Sequence, residues 1–343
     1  LVSSSAASDV YKRQGKEPMA TEKSTCSVPQ EHQGKRLDVV AALLFPGYSR
    51  SELARRIDAG YLLLNGKGST PKTKVHELDL IELLEVTRTN TSSDKAEKLN
   101  LDIVFEDEDL LVINKQPGLT VHPGAGVSSG TLLNGLLYHR PGLEALPRAG
   151  IVHRLDKDTS GLMVVAGSLS AHKVLTEAIL HRSLSRSYEA VCEGVLISGQ
   201  DIDAPIGRDP RNRLKKVVRQ DGKSSLSIMR IIKRYRKHSL VKVSLATGRT
   251  HQIRVHMQSI GHPLVGDRRY GCRYLLPKMA DEATIRTIRG FKRQALHSRR
   301  LEFAHPRGGS PQRFVADRPD DMEELVDALA VSYTHLTLPT TRL

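Results

Sequence analysis

Tryptophan is absent, aromatic side chains are 4% of the 343 residues, and only three cysteines occur. So few aromatics exclude a broad stacking platform for single-stranded nucleic acid. Cys26, Cys192 and Cys272 are odd in number and far apart. That spacing excludes a zinc ribbon or a disulfide framework and fits a reducing cytoplasm. No run approaches the ~18 apolar residues of a spanning helix, and no apolar segment follows a basic start as in a secretory signal. No internal repeat, metal-ligand cluster or dinucleotide fingerprint is visible. Gly222-Lys223-Ser224 imitates the end of a phosphate loop, but Val217 stands where the first glycine of that motif belongs.

Acidic residues are also scarce. There are 38 Asp and Glu against 52 Lys and Arg, giving a formal net charge of +14 and a pI near 9.7. This excess favours a polyanionic partner: RNA, DNA or, least of the three, an anionic membrane. The length allows two domains with a sizeable core.

Both ends look foreign to the rest. Residues 1–18 and 331–343 have no periodic pattern and read as non-native scars, and 19–34 reads as a polar disordered tail. Order begins at Lys35. Leu37, Val40, Ala41 and Leu44 have helical spacing, closed by Pro46-Gly47. Ser49 and Glu52 form a capping box for a second helix that Gly60 ends, with Arg55 and Arg56 off its Leu53/Ile57 stripe. Leu62–Leu64, an Asn65-Gly66 turn and an apolar run through Val75 to Leu84 read as a hairpin. Residues 35–86 thus form a small module carrying Arg36, Arg50, Arg55, Arg56 and Lys67, and a solvated basic face is the plainest meaning of such charge.

Polar residues 87–98 read as a linker and 99–330 as a large domain. Strands are expected at Ile103–Phe105, Leu110–Ile113, Tyr188–Val191, Ser227–Ile232 and Leu240–Leu245, and helices at Thr131–Tyr138 and Ala171–His181. Strands outnumber helices and do not alternate with them one for one. The expected class is α+β, with a mixed, mainly antiparallel sheet.

The densest chemistry lies in Gly150–Ala166, GIVHRLDKDTSGLMVVA. Two apolar runs flank a loop holding a His, an Arg, a Lys and two Asp, the kind of place where a scaffold presents functional groups. Arg154 and Lys157 near Asp156 would keep that carboxylate ionised, and an ionised, poorly solvated carboxylate can attack an anomeric carbon. Asp158 through Gly161 looks like turn chemistry. Spacing alone is equally compatible with an ion-paired loop aspartate that has no chemistry.

IVHRLDKDTSGLMVVA resembles the catalytic motif of the RluA/RluD family of pseudouridine synthases, and the resemblance spans nearly all of residues 35–330. RLDVVAALLFPGYSRSELARRIDAGYLLLNGKGS likewise resembles the RNA-binding domain named after ribosomal protein S4, which implies that the five small-domain cations bind RNA. The resemblance makes Asp156 the essential residue. TGRTHQIRVHMQSIGHPLVGD resembles a second family signature and assigns Arg254 as the partner of Asp156. There Thr250 is expected to cap a helix ended by Gly261, with Ile253, Met257 and Ile260 buried and Arg254 free to face a cleft. His251 and His256 lack metal-ligand spacing and are expected to be structural or RNA-facing.

SRSYEAVCEG resembles the segment carrying the base-stacking tyrosine, here Tyr188. RQALHSRRLEF places Leu296 at the uracil pocket, and His153 is expected there too. Arg154 is the candidate to fill the space left by a flipped-out nucleotide. Ser298-Arg299-Arg300 and GKSSLSIMR depart from the family pattern and leave the RNA target open.

The implied activity is isomerisation of uridine to pseudouridine in structured RNA, with large-subunit ribosomal RNA the expected target. A cytoplasmic monomer needing no metal or cofactor is expected. The rivals are a non-catalytic RNA-binding assembly protein and a glycosylase, and the latter usually needs a second carboxylate to manage water.

Overall fold

The computed structural model describes residues 22–45, 48, 50–85, 95–124, 126–212 and 215–334. The chain divides into two units, Leu1–Thr91 and Ser92–Leu343.

The small unit contains β1 (Glu22–Ser27), α1 (Leu37–Leu44), α2 (Arg50–Asp58), β2 (Leu62–Leu64) and β3 (Leu80–Glu85). Its sheet order is β1-β3-β2, all antiparallel. Leu37, Val40, Leu53 and Ile57 present the helices' apolar faces to Ile81 and Leu83 of β3. Residues 22–34 of the stretch expected to be a disordered tail are therefore ordered. Cys26 pairs with Ile81, Lys23 reaches Glu82 at 2.9 Å, and Val28 is buried. A strand this polar needs little apolar content, because it completes the ladder along an otherwise open edge of β3. Pro46-Gly47 and the capping-box Ser49 lie outside the described residues.

In the large unit, β4 (Ile103–Glu106) and β5 (Leu110–Lys115) precede α3 (Leu132–His139). Next come β6 (Ser160–Ala166), α4 (Leu169–Leu180), β7 (Ser185–Glu193) and β8 (Gln200–Asp203). A separate small hairpin joins β9 (Ile206–Arg208) to β10 (Lys216–Val218). The chain continues through β11 (Leu226–Arg234), β12 (His238–Leu245), α5 (Gln252–Ser259) and α6 (Glu282–Gly290), and closes with β13 (Leu296–Ala304), β14 (Pro311–Val315) and α7 (Asp320–Thr334). Eight strands run in the order β4-β5-β6-β13-β7-β12-β11-β8, and β14 adds to β13. Only the β6–β13 pairing is parallel, so the sheet is mixed and mainly antiparallel.

Residue alternation explains why β5 and β6 read as unbroken apolar runs. Leu111, Ile113, Met163 and Val165 enter one core with α3 and α5, while Leu110, Val112, Leu162 and Val164 enter another with α4. Both faces of these strands are covered. The end of the expected linker is tied down as well: the Asn134 side chain donates to the Lys95 carbonyl at 2.7 Å, and Gly130 N–H donates to Glu97 at 2.8 Å. α7 passes Ala330, where a scar was expected to begin. A helix already seated on Met322, Leu325 and Leu329 extends into following residues that contain no breaker.

Candidate active site

The loop before β6 is fixed from several directions. Lys115 Nζ, fully buried, donates to the carbonyls of Gln116, Leu119 and Lys157 at 2.8, 3.0 and 2.9 Å. Gly118 N–H also reaches the Lys157 carbonyl, at 3.0 Å. Thr159 N–H closes a turn onto the Asp156 carbonyl at 3.0 Å, and the Gln294 amide donates to Thr159 Oγ1 at 3.0 Å. Burial pushes the Lys115 amine down to about 7, with Asp158 and Asp156 pulling the other way. The loop then enters β6 through Gly161, at φ +108°. A Cβ there would sit 2.3 Å from the Ser298 carbonyl oxygen. Glycine is required because β6 and β13 approach closely at this point.

On this platform Asp156 keeps its side chain 17% exposed and meets a guanidinium from α5. Arg254 Nη1 donates to Asp156 Oδ2 at 2.9 Å. The other edge of the same guanidinium is taken by Asp267: Nε donates to Oδ2 at 2.6 Å and Nη2 to Oδ1 at 2.9 Å. Burial disfavours the charged Arg254, but the bonds and charge of Asp267, then those of Asp156, hold its pKa above the ordinary value. The sequence neighbours Arg154 and Lys157 are exposed and do not supply this charge. Arg254 is not open to a cleft as expected: it is buried, with Nε, Nη1 and Nη2 each donating to a carboxylate.

Thr250 does not cap α5. His251 occupies the N-cap in the left-handed region, φ 58°, and Gln252 secures the helix start by accepting from Thr247 Oγ1 and Arg249 N–H. His251 Nε2 lies 3.9 Å from Asp156 Oδ1, and its Nδ1 is 2.7 Å from Tyr270 Oη. The Arg254 guanidinium lies over the Tyr270 ring at 4.9 Å. His256 is structural, bonded to Ser227 Oγ and the Ala204 carbonyl at 2.9 Å each.

Tyr188 is buried opposite Ser298 on the adjacent strand, in the same core as Leu296 and Ile253. Burial raises the phenol's pKa, Arg186 lowers it, and the charge of Asp156 raises it further. Arg154 is exposed. His153, expected at the substrate pocket, is turned into the interior, where Nε2 accepts from Val164 N–H at 3.0 Å and burial pushes its pKa down to about 3. It anchors the loop to β6. The unusual Arg299 sits at a bulge between β13 and β7, bonded to the Ala316 carbonyl and to Asp317. Its charge is thereby satisfied away from Asp156.

The five candidate cations of the small unit fall into three groups. Arg36 and Arg50 both bond the buried Asp38, at 3.0 and 2.9 Å. Burial would raise the Asp38 carboxyl, but these two arginines hold it below the usual range. Arg56 lies over Tyr48 at 4.5 Å and is half-buried rather than projecting outward, while Arg55 and Lys67 are exposed. Sequence reasoning missed Asp267, Lys115 and Gln252. Asp267 closes the TGRTHQIR…GD stretch, and its place there was the one signal available.

An ion-paired carboxylate on a closed loop beside a buried tyrosine brings together groups that acid–base or nucleophilic chemistry uses. Residues 109–259 match the family model for RNA pseudouridylate synthase. The chain belongs to the RNA pseudouridylate synthases, of the RluA/RluD type, and is an isomerase.

Among its relatives is ribosomal large subunit pseudouridine synthase D of Xanthomonas campestris pv. campestris, 46% identical over 316 residues, 92% of this chain and 95% of the relative. The protein of the same name from Pseudomonas aeruginosa is 49% identical over 302 residues, 88% and 94% of the two chains. Human RNA pseudouridylate synthase domain containing 1 superposes with a TM-score of 0.51 at 25% identity, covering 71% of this chain and 98% of the human chain. The human domain containing 4 shares the fold, with a TM-score of 0.52 at 23% identity over 67% and 93%. Among the described residues, no helix is long and apolar enough to cross a membrane, and no cluster of three or more His, Cys, Asp or Glu could hold a metal ion.

Proposed function

We propose that this chain converts uridines of large-subunit ribosomal RNA to pseudouridine, with Asp156 acting on the target ribose. The observation that carries the reading is the 2.9 Å bond between Asp156 and Arg254 on a loop closed by Lys115, Thr159 and Gly161. The names of the relatives support the ribosomal substrate.

In this reading the nucleotide is flipped out of the RNA, and Arg154 fills the space it leaves. Asp156 attacks the ribose or removes a sugar proton, and the base leaves through its glycosidic nitrogen, turns while held, and rejoins through carbon five. Arg254 aims the carboxylate through its 2.9 Å bond to Oδ2. Tyr188 and Leu296 hold the base, and the Tyr188 phenol, whose pKa burial raises, handles the proton at carbon five. The isomerisation balances without oxidant, reductant or water, so no cofactor is invoked.

The glycosylase alternative needs a free second carboxylate. Both oxygens of Asp267 bond Arg254, so this carboxylate is not free for that role. The small unit is read as an S4-like RNA-binding domain in which exposed Arg55 and Lys67 meet phosphate and Arg36, Arg50 and Arg56 flank them. We read the protein as a monomer of the cytoplasm, where its three free thiols are stable. Pseudouridine mapping of ribosomal RNA from cells with and without the gene tests the function: loss of specific sites supports it, and an unchanged map refutes it.

A further inference from the structure

His251 sits at the mouth of the site in a backbone conformation unusual for a non-glycine residue, and its ring is held by a hydrogen-bond relay. Lys216 N–H donates to Tyr270 Oη at 3.0 Å, and Oη lies 2.7 Å from His251 Nδ1, where the phenol can donate its own proton. With Nδ1 accepting, the neutral imidazole carries its proton on Nε2. Burial favours that neutral ring; Asp156 and Asp267 oppose the effect, while Arg254 and Arg269 add to it. The Nε2–H therefore faces the carboxylate oxygen that Arg254 leaves unused, Oδ1 of Asp156.

The separation, 3.9 Å, is too long for a direct hydrogen bond. It is the span of two bonds of about 2.8 Å that meet near a right angle on one oxygen atom. Such an oxygen must accept from Nε2 and donate to Oδ1, as a hydroxyl does. Both side chains keep some exposure, 14% for His251 and 17% for Asp156, so an incoming nucleoside can reach the gap.

We infer that His251 and Asp156 together grip the 2′-hydroxyl of the target ribose, with Nε2 donating and Oδ1 accepting. This hydroxyl neighbours the anomeric carbon at which Asp156 works, and the inference rests on that reading of Asp156. The grip fixes the sugar during base departure and makes the site selective for RNA, since the 2′-hydroxyl distinguishes RNA from DNA.

The test crosses two changes, one in the enzyme and one in the RNA. The full chain is given an RNA whose target nucleotide is either uridine or 2′-deoxyuridine. His251→Asn tolerates the left-handed backbone but is too short to place a donor where Nε2 stands, whereas His251→Gln reaches it. On the ribose substrate, kcat should fall roughly tenfold or more in the Asn variant with KM nearly unchanged, and the Gln variant should recover part of the loss. Tyr270→Phe, which frees the tautomer and keeps the ring's bulk, should lose activity in the same direction.

On the deoxy substrate, wild type should be slowed to a similar degree, and the Asn variant should add little further penalty. The inference is overturned by full activity of His251→Asn on ribose RNA, by wild type using both RNAs equally, by penalties that multiply, or by equal losses in Asn and Gln. Failure of the underlying reading shows separately, as an active Asp156→Asn on the ribose RNA.

Discussion

Asp156 and Asp267 share one guanidinium: Arg254 gives a single N–H to Asp156 and two to Asp267. The buried, bidentate side is the anchor, and the half-exposed, single bond is the working end. Arg254 thus has no rotational freedom to waste, and its remaining edge can only face the carboxylate on the loop.

Replacing Asp267 with Asn should keep the volume but lose the charge that holds Arg254. We expect a stability loss of about 3–5 kcal/mol, since one partner of a buried ionic network is removed. In the protein that remains folded, kcat should fall roughly tenfold or more, because Asp156 loses its aim. Thermal unfolding and single-turnover kinetics check both. Wild-type kcat in the folded variant would contradict the shared-guanidinium account.

Gly161→Ala places a methyl group against the Ser298 backbone at a φ of +108°. We expect a loss of about 3–5 kcal/mol and collapse of activity, since the loop bearing Asp156 enters β6 here. A variant with unchanged melting temperature and activity would show that β6 and β13 do not approach as closely as described.

Buried histidines, His153, His238 and His297 foremost, make the large unit acid-sensitive. Burial lowers His153 to about 3 and His238 and His297 to about 4, with Arg186 adding to the effect at His153, Glu193 opposing it at His238, and the bond to Ala316 opposing it at His297. Their folded values lie below the unfolded value of about 6.5, so between these limits the unfolded chain binds more protons. Stability is therefore full above about pH 6.5 and falls as the pH drops toward 4. Both ring nitrogens of His238 are buried without a partner among the described residues. His238→Leu should flatten the stability–pH slope by about one proton and leave stability at pH 7.5 equal or higher. Unfolding midpoints across pH 4.5–7.5 measure this (about three units), and identical slopes would refute it.

Deleting residues 19–88 should weaken binding to structured RNA and reduce its salt dependence, while the single-turnover chemical step stays within about threefold. Affinity that is unchanged over a range of salt would refute the RNA-binding role given to the small unit.

Much of this was legible in the sequence where pattern and local chemistry agree. The double-sided apolar runs of β5 and β6 and the helix at Leu37–Leu44 follow from periodicity, whereas the expected hairpin does not hold as read: the Asn65-Gly66 turn closes only Leu64 onto Lys67, and β2 pairs with β3 across residues 65–79. Asp156 stood out because charge at the junction of two apolar runs is costly unless used. What stayed hidden depends on contacts between distant parts of the chain. The strand Glu22–Ser27 carries no apolar alternation, because its order comes from the edge of β3. Asp267 and Lys115 look like ordinary surface charges until the fold buries them beside Arg254 and the Lys157 carbonyl. His153 carries the same letters as a pocket residue, and only packing shows its ring turned toward Val164.

The central claim is that the Asp156 carboxylate performs the reaction. It is tested most directly by incubating unmodified large-subunit ribosomal RNA with purified wild type and with Asp156→Asn, measuring pseudouridine formed and RNA bound in the same samples. The account predicts site-specific conversion by wild type, none by the variant, and comparable binding by both. Substantial pseudouridine from the Asn variant would contradict it.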